Sequence, residues 1–370
     1  METFRRYGFD KAMFVTTLVL ILLGSLMVMS ASGVFALQTY HNELHFFSQQ
    51  FVGSALMMVL VMIFLRIRKP FYKSTAFVFG LLGLTLIMLL VVLVMPPVAK
   101  TNRWFVVGGF RFQPSELAKI SLVLFLAWFL DKNREKIAEL KILLIPLGVI
   151  ILFTGLIIRE PDFGTGVLVL TLSLILLFLG GLRMKHLAWI SLSVLPPLVY
   201  FLVSAPYRWN RVLAFFSPQS SVENLNFQVA QSKFAVGSGG LFGVSFGESV
   251  QKMFFLPCSH TDFIFAIIGE EFGLLGTLFV IALFAILVWR GILISMKAPD
   301  YFSQIAAAGL TLFLGLQALL NITVVLGLAP AKGVPLPLIS YGRSSLFCVF
   351  LAIGLLLHIS QRRGDGRSPA

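Results

Sequence analysis

Apolar runs, most of them about 20 residues long, recur along this chain from Ala12 to Leu357. A helix of about 20 residues crosses a hydrocarbon core of roughly 30 Å. Backbone polar groups inside such a core must be paired within the spanning segment, which for runs of this length requires an α-helix. The sequence therefore predicts an all-α integral membrane protein with about ten transmembrane helices.

Charged residues are too scarce for a soluble domain. They make up 12% of the chain, whereas soluble domains carry about 25%. We therefore predict a single membrane domain over residues 1–370. The first apolar run is longer than a signal-peptide core and is expected to be retained as a span. The predicted spans lie near residues 12–31, 46–65, 75–96, 115–130, 142–158, 165–181, 187–204, 262–289, 301–328 and 344–360.

Basic residues alternate between the two sides of these spans. With the N-terminus inside, 18 of the 29 Lys and Arg residues fall in short inward segments, as expected for cytoplasmic loops. We therefore predict a multi-pass protein of the cytoplasmic (inner) membrane with both termini in the cytoplasm. The net charge of +13 then reflects membrane orientation, and no nucleic-acid partner is expected.

Residues 205–261 become a large extracytoplasmic loop between helices 7 and 8. Loops of this length inside a compact domain are usually functional or disordered. Phe227, Ala230 and Phe234 stand at helical spacing within it. A short interfacial helix and an irregular loop both remain open for this segment.

Acidic residues at the start of the eighth span are the strongest local signal for chemistry. Asp262 lies at its outer mouth, where partial burial raises a carboxyl pKa and suits a general base. The same position also suits a helix N-cap. Glu270 and Glu271 lie two turns deeper, where we expect protonation or pairing, with Arg343 and Lys332 as candidate partners.

Three further sites carry charge near the outer face. Glu116 and Lys119 share one helical face at i,i+3 spacing, either as a structural ion pair or as the floor of a polar cavity. Asp162 lies in an outer turn and either caps the next helix or borders the site. Arg103 suits a phosphate and Trp104 an apolar chain or sugar. From this dipeptide alone, an interfacial aromatic residue beside a snorkelling Arg is the favoured interpretation.

The segment at residues 332–345 is broken by Pro and Gly and is rich in hydroxyl groups. Irregular backbone at membrane depth is tolerated where it lines a cavity, and the Lys and Arg within it could hold a diphosphate. Other chemistries lack a motif. The glycine-rich stretch at 237–240 is not followed by the Lys of a P-loop, the five His residues have no zinc-ligand spacing, and two Cys residues build no disulfide framework.

Taken together, these blocks resemble the SEDS family (shape, elongation, division and sporulation), which includes FtsW and RodA. Their order and spacing agree along the whole chain. The division branch, FtsW, is the nearer match because Gly precedes the Glu pair. The matching words are FQPSELAK (112–119), PDFG (161–164), QS (231–232), GSGG (237–240), HTDFIF (260–265) through GEE (269–271), and KG (332–333) through SYG (340–342).

The resemblance implies a peptidoglycan glycosyltransferase that polymerises lipid II outside the cytoplasmic membrane. Asp262 would be the base that deprotonates the acceptor hydroxyl. Arg103, Lys332 and Arg343 would ease the charge of the departing polyprenyl diphosphate, with a divalent cation (Mg²⁺ or Mn²⁺) as an optional further stabiliser. The residues expected to contact substrate are Arg103, Trp104, Glu116, Lys119, Asp162, Gln231, Ser232, His260, Thr261, Lys332, Ser340, Tyr341, Arg343 and Ser344.

The resemblance also implies partners: lipid II, the nascent glycan, a class B penicillin-binding transpeptidase, and other membrane proteins of the division or elongation machinery. Two departures stand out. Arg343 takes a position where the family usually has Gly, and Cys258 and Ser259 replace a usual Glu-Ala pair. The rival interpretations are a flippase that transports lipid-linked precursor, an elongation polymerase of the RodA type, and a scaffold for division proteins.

Overall fold

The computed structural model describes residues 8–67, 69–97, 101–107, 110–137, 139–216, 223–253, 255–257 and 259–362. A 3₁₀ turn at Phe71–Lys73 and a hairpin of β1 (Phe105–Val107) with β2 (Phe110–Phe112) interrupt an otherwise helical chain. The helices are α1 (Lys11–Tyr40), α2 (His45–Arg66), α3 (Thr75–Val94), α4 (Pro114–Lys132), α5 (Leu140–Arg159), α6 (Phe163–Leu179), α7 (Met184–Val203), α8 (Pro206–Phe216), α9 (Glu223–Ser238), α10 (Ile264–Met296), α11 (Tyr301–Val325) and α12 (Arg343–Gln361).

Each predicted span contains a helix, namely α1 to α7 and α10 to α12. Among the described residues, eight helices are long and apolar enough to cross a membrane, and α6 is a shorter apolar helix of 17 residues. α4 is different, since it contains buried Glu116 and Lys119. The multi-pass helical architecture is confirmed. The count of ten spans and the cytoplasmic termini stay predictions.

α4 lies in the centre of the bundle, and nearly all of its residues from Pro114 to Leu130 are buried. It packs against α3, α6 and α11, while α10 packs against α1, α9 and α11, and α12 packs against α2. α7 lies at the edge and has no buried residue. A helix enclosed by other helices can hold ionisable groups that lipid would exclude, which explains the charges inside α4.

The two ends of the bundle differ. One end, called the site end below, gathers the first residues of α4, α6, α10 and α12 and the last turns of α5 and α11. The opposite end carries the basic loops that the sequence assigns to the cytoplasm. There Lys73 pairs with Asp300, and the Arg290 guanidinium lies 2.6 Å from the Asp10 carboxylate.

The long loop at 205–261 is largely ordered by helices. α9 spans Phe227 to Phe234, so a helix forms at the position that helical spacing indicated. Whether it lies in the membrane interface stays a prediction. After α9, residues 239–252 return across the first turns of α10, and we call this segment the strap.

Glycines allow the strap to touch the α10 backbone. A Cβ added to Gly239 would lie 1.9 Å from the carbonyl oxygen of Gly269, and one at Gly243 (φ 81°) would lie 2.1 Å from that of Glu271. The Val244 amide donates to the Glu270 carbonyl at 3.0 Å. α10 itself departs from helical geometry at Gly273 (φ 64°). The glycine-rich word at 237–240 therefore begins a backbone docking segment, a role that requires residues without a Cβ.

Candidate active site

Asp262 lies two residues before α10 and is partly buried. Burial raises the pKa of its carboxyl from 3.8 to about 6, Arg103 and Arg211 oppose this rise, and Asp162 adds to it. Asn321, near the end of α11, donates to the Asp262 backbone carbonyl at 2.7 Å. Asp262 is therefore a carboxyl group whose backbone is anchored at the mouth of α10 and whose pKa is raised to about 6.

The loop before α12 closes over Asp262. A Cβ on Gly333 would lie only 2.9 Å from the Asp262 Oδ2 atom. Asn321 also donates to the carbonyl of Val334 at 2.7 Å. The Ser340 hydroxyl donates to the Thr261 carbonyl at 2.6 Å. Two motifs that are some 70 residues apart in sequence thus form one wall of the site.

Asp162 both caps the next helix and borders the site, the two roles that the sequence left open. Its Oδ1 accepts from the Thr165 amide at 3.1 Å and so caps α6. Its Oδ2 accepts from the Gln113 side chain at 3.1 Å and lies 3.8 Å from the Arg103 guanidinium. The capping interaction and the ion pair together hold Asp162 and Arg103 in place, and both charges are near enough to shift the pKa of Asp262.

Lys332 supplies a second cation. Its stem lies against Gly164, where an added Cβ would come within 2.0 Å of Lys332 Cε, so the glycine of the PDFG word makes room for it. Burial lowers the pKa of Lys332 from 10.5 to about 8, Asp162 raises it, and Lys119 lowers it further. Within the described chain no carboxylate lies within ion-pair distance of Lys332, so its charge is available to an anionic ligand.

Glu116 and Lys119 form a buried ion pair with 2.7 Å between Nζ and Oε1. Lys119 also donates to the Gln317 side chain at 2.8 Å. Gln317 in turn donates to the Pro335 carbonyl and to the Ser345 hydroxyl, both at 3.1 Å. Through Gln317 the pair supports the loop that carries Lys332 and Gly333, and a direct contact of Glu116 or Lys119 with substrate stays a prediction.

The expected pairing of Glu270 and Glu271 with Arg343 or Lys332 is wrong. Lys252 of the strap lies 3.1 Å from the Glu271 carboxylate, and the Ser30 hydroxyl donates to the same oxygen at 2.5 Å. Glu270 accepts from the Ser249 hydroxyl and from the Val250 amide, the latter at 3.0 Å. The strap brings its own partners to these carboxylates, which no local pattern could reveal.

The remaining predicted residues lie in four places. His260, Tyr341 and Arg343 face α2, and burial lowers the pKa of His260 from 6.5 to about 4. Ser344 accepts from the Gln113 amide at 3.0 Å. Ser232 donates to the Val325 carbonyl at 2.8 Å and joins α9 to α11. Gln231 is partly buried on α9, Trp104 is partly buried before β1, and Cys258 lies outside the described residues.

Four functional side chains belong to none of the motifs: Arg208, Arg211, Gln317 and Asn321. Arg208 donates to the Ile158 carbonyl at 3.1 Å and lies 5.7 Å from the Phe163 ring centre, so it holds α8 over the ends of α5 and α6. Arg211, on the next turn of α8, is near enough to lower the pKa of Asp262. Gln317 and Asn321 could have been found from the sequence, because two amide side chains four residues apart in an apolar span lie on one face of the helix.

Glu160 is fully buried at the end of α5, and neither carboxylate oxygen has a hydrogen-bond partner. Burial raises its pKa from 4.5 to about 9, Asp162 raises it further, and Arg103 opposes the rise. The pKa of Glu160 is therefore higher in the folded protein than in the unfolded chain. Its contribution to the free energy of unfolding is fully present below pH 4.5 and is lost as the pH rises towards 9.

We therefore expect Glu160→Gln to raise Tm relative to the natural chain by more at pH 9 than at pH 5, because glutamine does not titrate. Thermal unfolding of both purified proteins at pH 5, 7 and 9 measures this difference. Other titrating groups are common to both chains and cancel. Parallel Tm curves for the two proteins would show that Glu160 is not held protonated in the fold.

Comparison with known proteins finds relatives that match nearly the whole chain. The chain is 36% identical over 363 residues to the "Probable peptidoglycan glycosyltransferase FtsW" of Trichlorobacter lovleyi, covering 97% of this chain and 95% of that protein. It is 35% identical to the stage V sporulation protein E of Bacillus subtilis, covering 95% and 97%.

Two solved structures share the fold. The crystal structure of the rod shape determining protein RodA of Thermus thermophilus has a TM-score of 0.71 at 26% identity and covers 96% of this chain and 98% of that one. A chain described under "Structural coordination of polymerization and crosslinking by a peptidoglycan synthase complex" has a TM-score of 0.78 at 25% identity, covering 98% and 99%.

The family profile described as "Cell cycle protein" and built on FtsW, RodA and SpoVE matches residues 10–364. Relatives that are more than one-third identical, such as the Trichlorobacter protein, align with nearly the full length of this chain. The chain is therefore a multi-pass protein of the cytoplasmic membrane that belongs to the FtsW/RodA/SpoVE family.

Proposed function

We propose that this chain is a peptidoglycan glycosyltransferase that polymerises lipid II into glycan strands at the outer face of the cytoplasmic membrane, for septum synthesis in division. One observation carries the proposal. A carboxylate with a pKa of about 6 lies at the site end, in the electrostatic field of Arg103 and Arg211. The relatives named FtsW support the activity, because that name describes the same reaction for them.

The chemistry requires a base and a cation on opposite sides of one reacting carbon. Asp262 takes the proton of the acceptor sugar hydroxyl, and the oxygen then bonds to the anomeric carbon of the donor. The bond from that carbon to the diphosphate oxygen breaks, and the polyprenyl diphosphate leaves with the electron pair. Arg103, Arg211 and Lys332 stabilise the charge that develops on the leaving group.

A divalent cation stays a prediction. The part of the chain that is described contains no group of three or more His, Cys, Asp or Glu side chains that could hold a metal ion. The Asp162 carboxylate is already engaged by Thr165, Gln113 and Arg103. The steps given above use only the positive charge of side chains, and a bound divalent cation would add to that charge.

Partners follow from the same proposal. We infer that the chain acts with a class B penicillin-binding transpeptidase, which would crosslink the strands that this chain makes. The structural relative in a complex that coordinates polymerization and crosslinking supports this inference. Lipid II and the nascent glycan are the substrates, and further division proteins are expected to bind the assembly.

The test is to incubate the purified full chain, with and without a class B transpeptidase, with fluorescent lipid II in detergent and in vesicles. Glycan strands resolved by gel electrophoresis support the polymerase. A transporter would instead move labelled lipid II between leaflets without forming strands, and its site should lie near the bilayer midplane. Transfer between leaflets with no strands would replace the proposal by the flippase.

Gly333→Ala tests the closeness of the loop to the base. The added methyl group would displace the Asp262 carboxylate, because the two would be 2.9 Å apart, while a carboxylate end can turn away without unfolding the site. We expect the rate of polymerisation to fall about 10- to 100-fold, as for a misplacement of roughly 1 Å, with Tm nearly unchanged. Gly80→Ala on α3, where nothing lies within 4 Å of the new Cβ, is the matched control. Full activity of Gly333→Ala would show that this contact does not position the base.

A further inference from the structure

We propose that the site end carries a second subsite, an aromatic platform that binds the glycan strand as it leaves Asp262. The platform consists of Tyr40, His45, Phe46, His260 and Tyr341. Its ligand would be a chain of N-acetylated pyranose rings that carry carboxylates. The proposal deepens the polymerase function and depends on it only for the identity of the ligand.

The rings of the platform are in continuous contact. The Tyr40 and His45 rings are stacked with centres 4.0 Å apart and 6° between their planes. The Phe46 ring lies 5.6 Å from Tyr40, 5.0 Å from His260 and 5.0 Å from Tyr341. Tyr40 remains 49% exposed. Aromatic faces of this kind pack against the C–H face of a pyranose ring while their polar ends reach its hydroxyl groups.

A polar edge borders the rings. The Gln49 Oε1 atom accepts from the Tyr341 hydroxyl and from the Arg343 guanidinium, both at 2.5 Å. The Gln49 and His45 Nε2 atoms are 2.9 Å apart. Arg343 is exposed, and no described carboxylate lies within ion-pair distance of it. An amide and an exposed guanidinium without a described carboxylate partner match the N-acetyl groups and the carboxylates of a peptidoglycan strand.

The platform is joined to the base by the backbone. His260 stands two residues before Asp262, and its carbonyl accepts from the Tyr341 amide at 3.1 Å. A strand bound beside Asp262 can therefore extend its next sugars past His260 towards the exposed Tyr40, and the buried Phe46 ring supports the platform from beneath. Arg343 shares the Gln49 Oε1 atom with Tyr341 and therefore lies on the polar edge of the platform. We assign it to the strand, and the cations near Asp262 remain for the diphosphate.

Aromatic residues also gather at membrane interfaces without binding sugars. Tyr200 provides the matched control, because it is 69% exposed in the last turn of α7 and belongs to neither the platform nor the site. A role in the interface predicts that Tyr40→Ala and Tyr200→Ala behave alike. A sugar-binding role predicts that only Tyr40→Ala matters.

The test measures the Kd of soluble glycan fragments, made of alternating N-acetylglucosamine and N-acetylmuramic acid with stem peptides, for the full chain in lipid nanodiscs. We expect Tyr40→Ala to weaken binding about 3- to 10-fold, the range for loss of one aromatic contact. Arg343→Gln should weaken it about 10-fold or more, the range for loss of a hydrogen bond to a charged group. Tyr40→Phe should bind as the natural chain does. Oligomers of N-acetylglucosamine alone, which carry N-acetyl groups and no carboxylate, should lose the dependence on Arg343 and keep that on Tyr40.

Saturable binding that follows this order supports the platform. Equal Kd values for all variants, no saturable binding by the natural chain, or an equal loss in Tyr200→Ala would each overturn it. Size-exclusion profiles identify variants that fail to fold. Glycan binding is measured without turnover. If the chain binds strands in this order but does not polymerise lipid II, the platform stands and the polymerase proposal fails. If it polymerises lipid II but binding does not depend on these residues, the polymerase proposal stands and the platform fails.

Discussion

Asp262→Asn is expected to abolish measurable polymerisation of lipid II, with the rate falling about 10²- to 10⁴-fold, the usual contribution of a positioned general base. The amide keeps the size of the side chain and cannot accept the proton of the acceptor hydroxyl. Asn321 holds Asp262 through its backbone carbonyl, so the variant should fold and retain its Tm. The measurement is strand formation by purified protein with its transpeptidase partner.

Asp131→Asn is the matched control, because Asp131 is exposed at the opposite end of α4. It should polymerise as the natural chain does. A scaffold for division proteins predicts that Asp262→Asn is equally harmless. Strand synthesis by Asp262→Asn at the natural rate would remove both the base and the mechanism.

The same base fixes the pH dependence. Asp262 accepts a proton only when ionised, so polymerisation should reach half of its maximal rate near pH 6, the pKa of this carboxyl, and level off at higher pH. Arg211→Gln removes a charge that lowers this pKa and should move the rise to higher pH. Asp162→Asn removes a charge that raises it and should move the rise to lower pH. Shifts of opposite sign distinguish an electrostatic effect from general damage to the site.

Lys252→Met is expected to cause the largest loss of stability. Lys252 and Glu271 are 6% and 0% exposed at their side chains. Removing one partner leaves the Glu271 charge buried with only the Ser30 hydroxyl, and breaking such a pair typically costs about 3–5 kcal/mol. Because the strap is bound to the first turns of α10, we also expect polymerisation to fall. Denaturant unfolding in detergent measures the loss in the free energy of unfolding.

The double variant Lys252→Met/Glu271→Gln separates the two contributions. It removes both charges, so it should regain more than half of the stability lost by the single variant. Lys233→Met on α9, where the lysine is exposed, controls for the loss of a lysine. If the double variant were no more stable than Lys252→Met, the unpaired charge would not be the cause of the loss.

Local chemistry explains the parts of the site that motifs identify. Asp162 is followed three residues later by Thr165, whose amide it caps, and Glu116 meets Lys119 one turn away. These interactions need only one helix to form. Arg211 is different, since its effect on Asp262 depends on where α8 comes to lie, 51 residues earlier in the chain. Its role is visible only once the bundle is assembled.

The sequence by itself determined the helical architecture, the membrane location and the position of Asp262 at the mouth of a span. Length and apolarity of a run decide these, because a bilayer demands a continuous apolar helix whatever its neighbours are. Tertiary structure alone decided that Lys252 pairs with Glu271, that Lys332 crosses Gly164, and that Arg343 turns to Gln49. Each of these joins separate elements, and contacts of that kind depend on how helices pack, which no local spacing encodes.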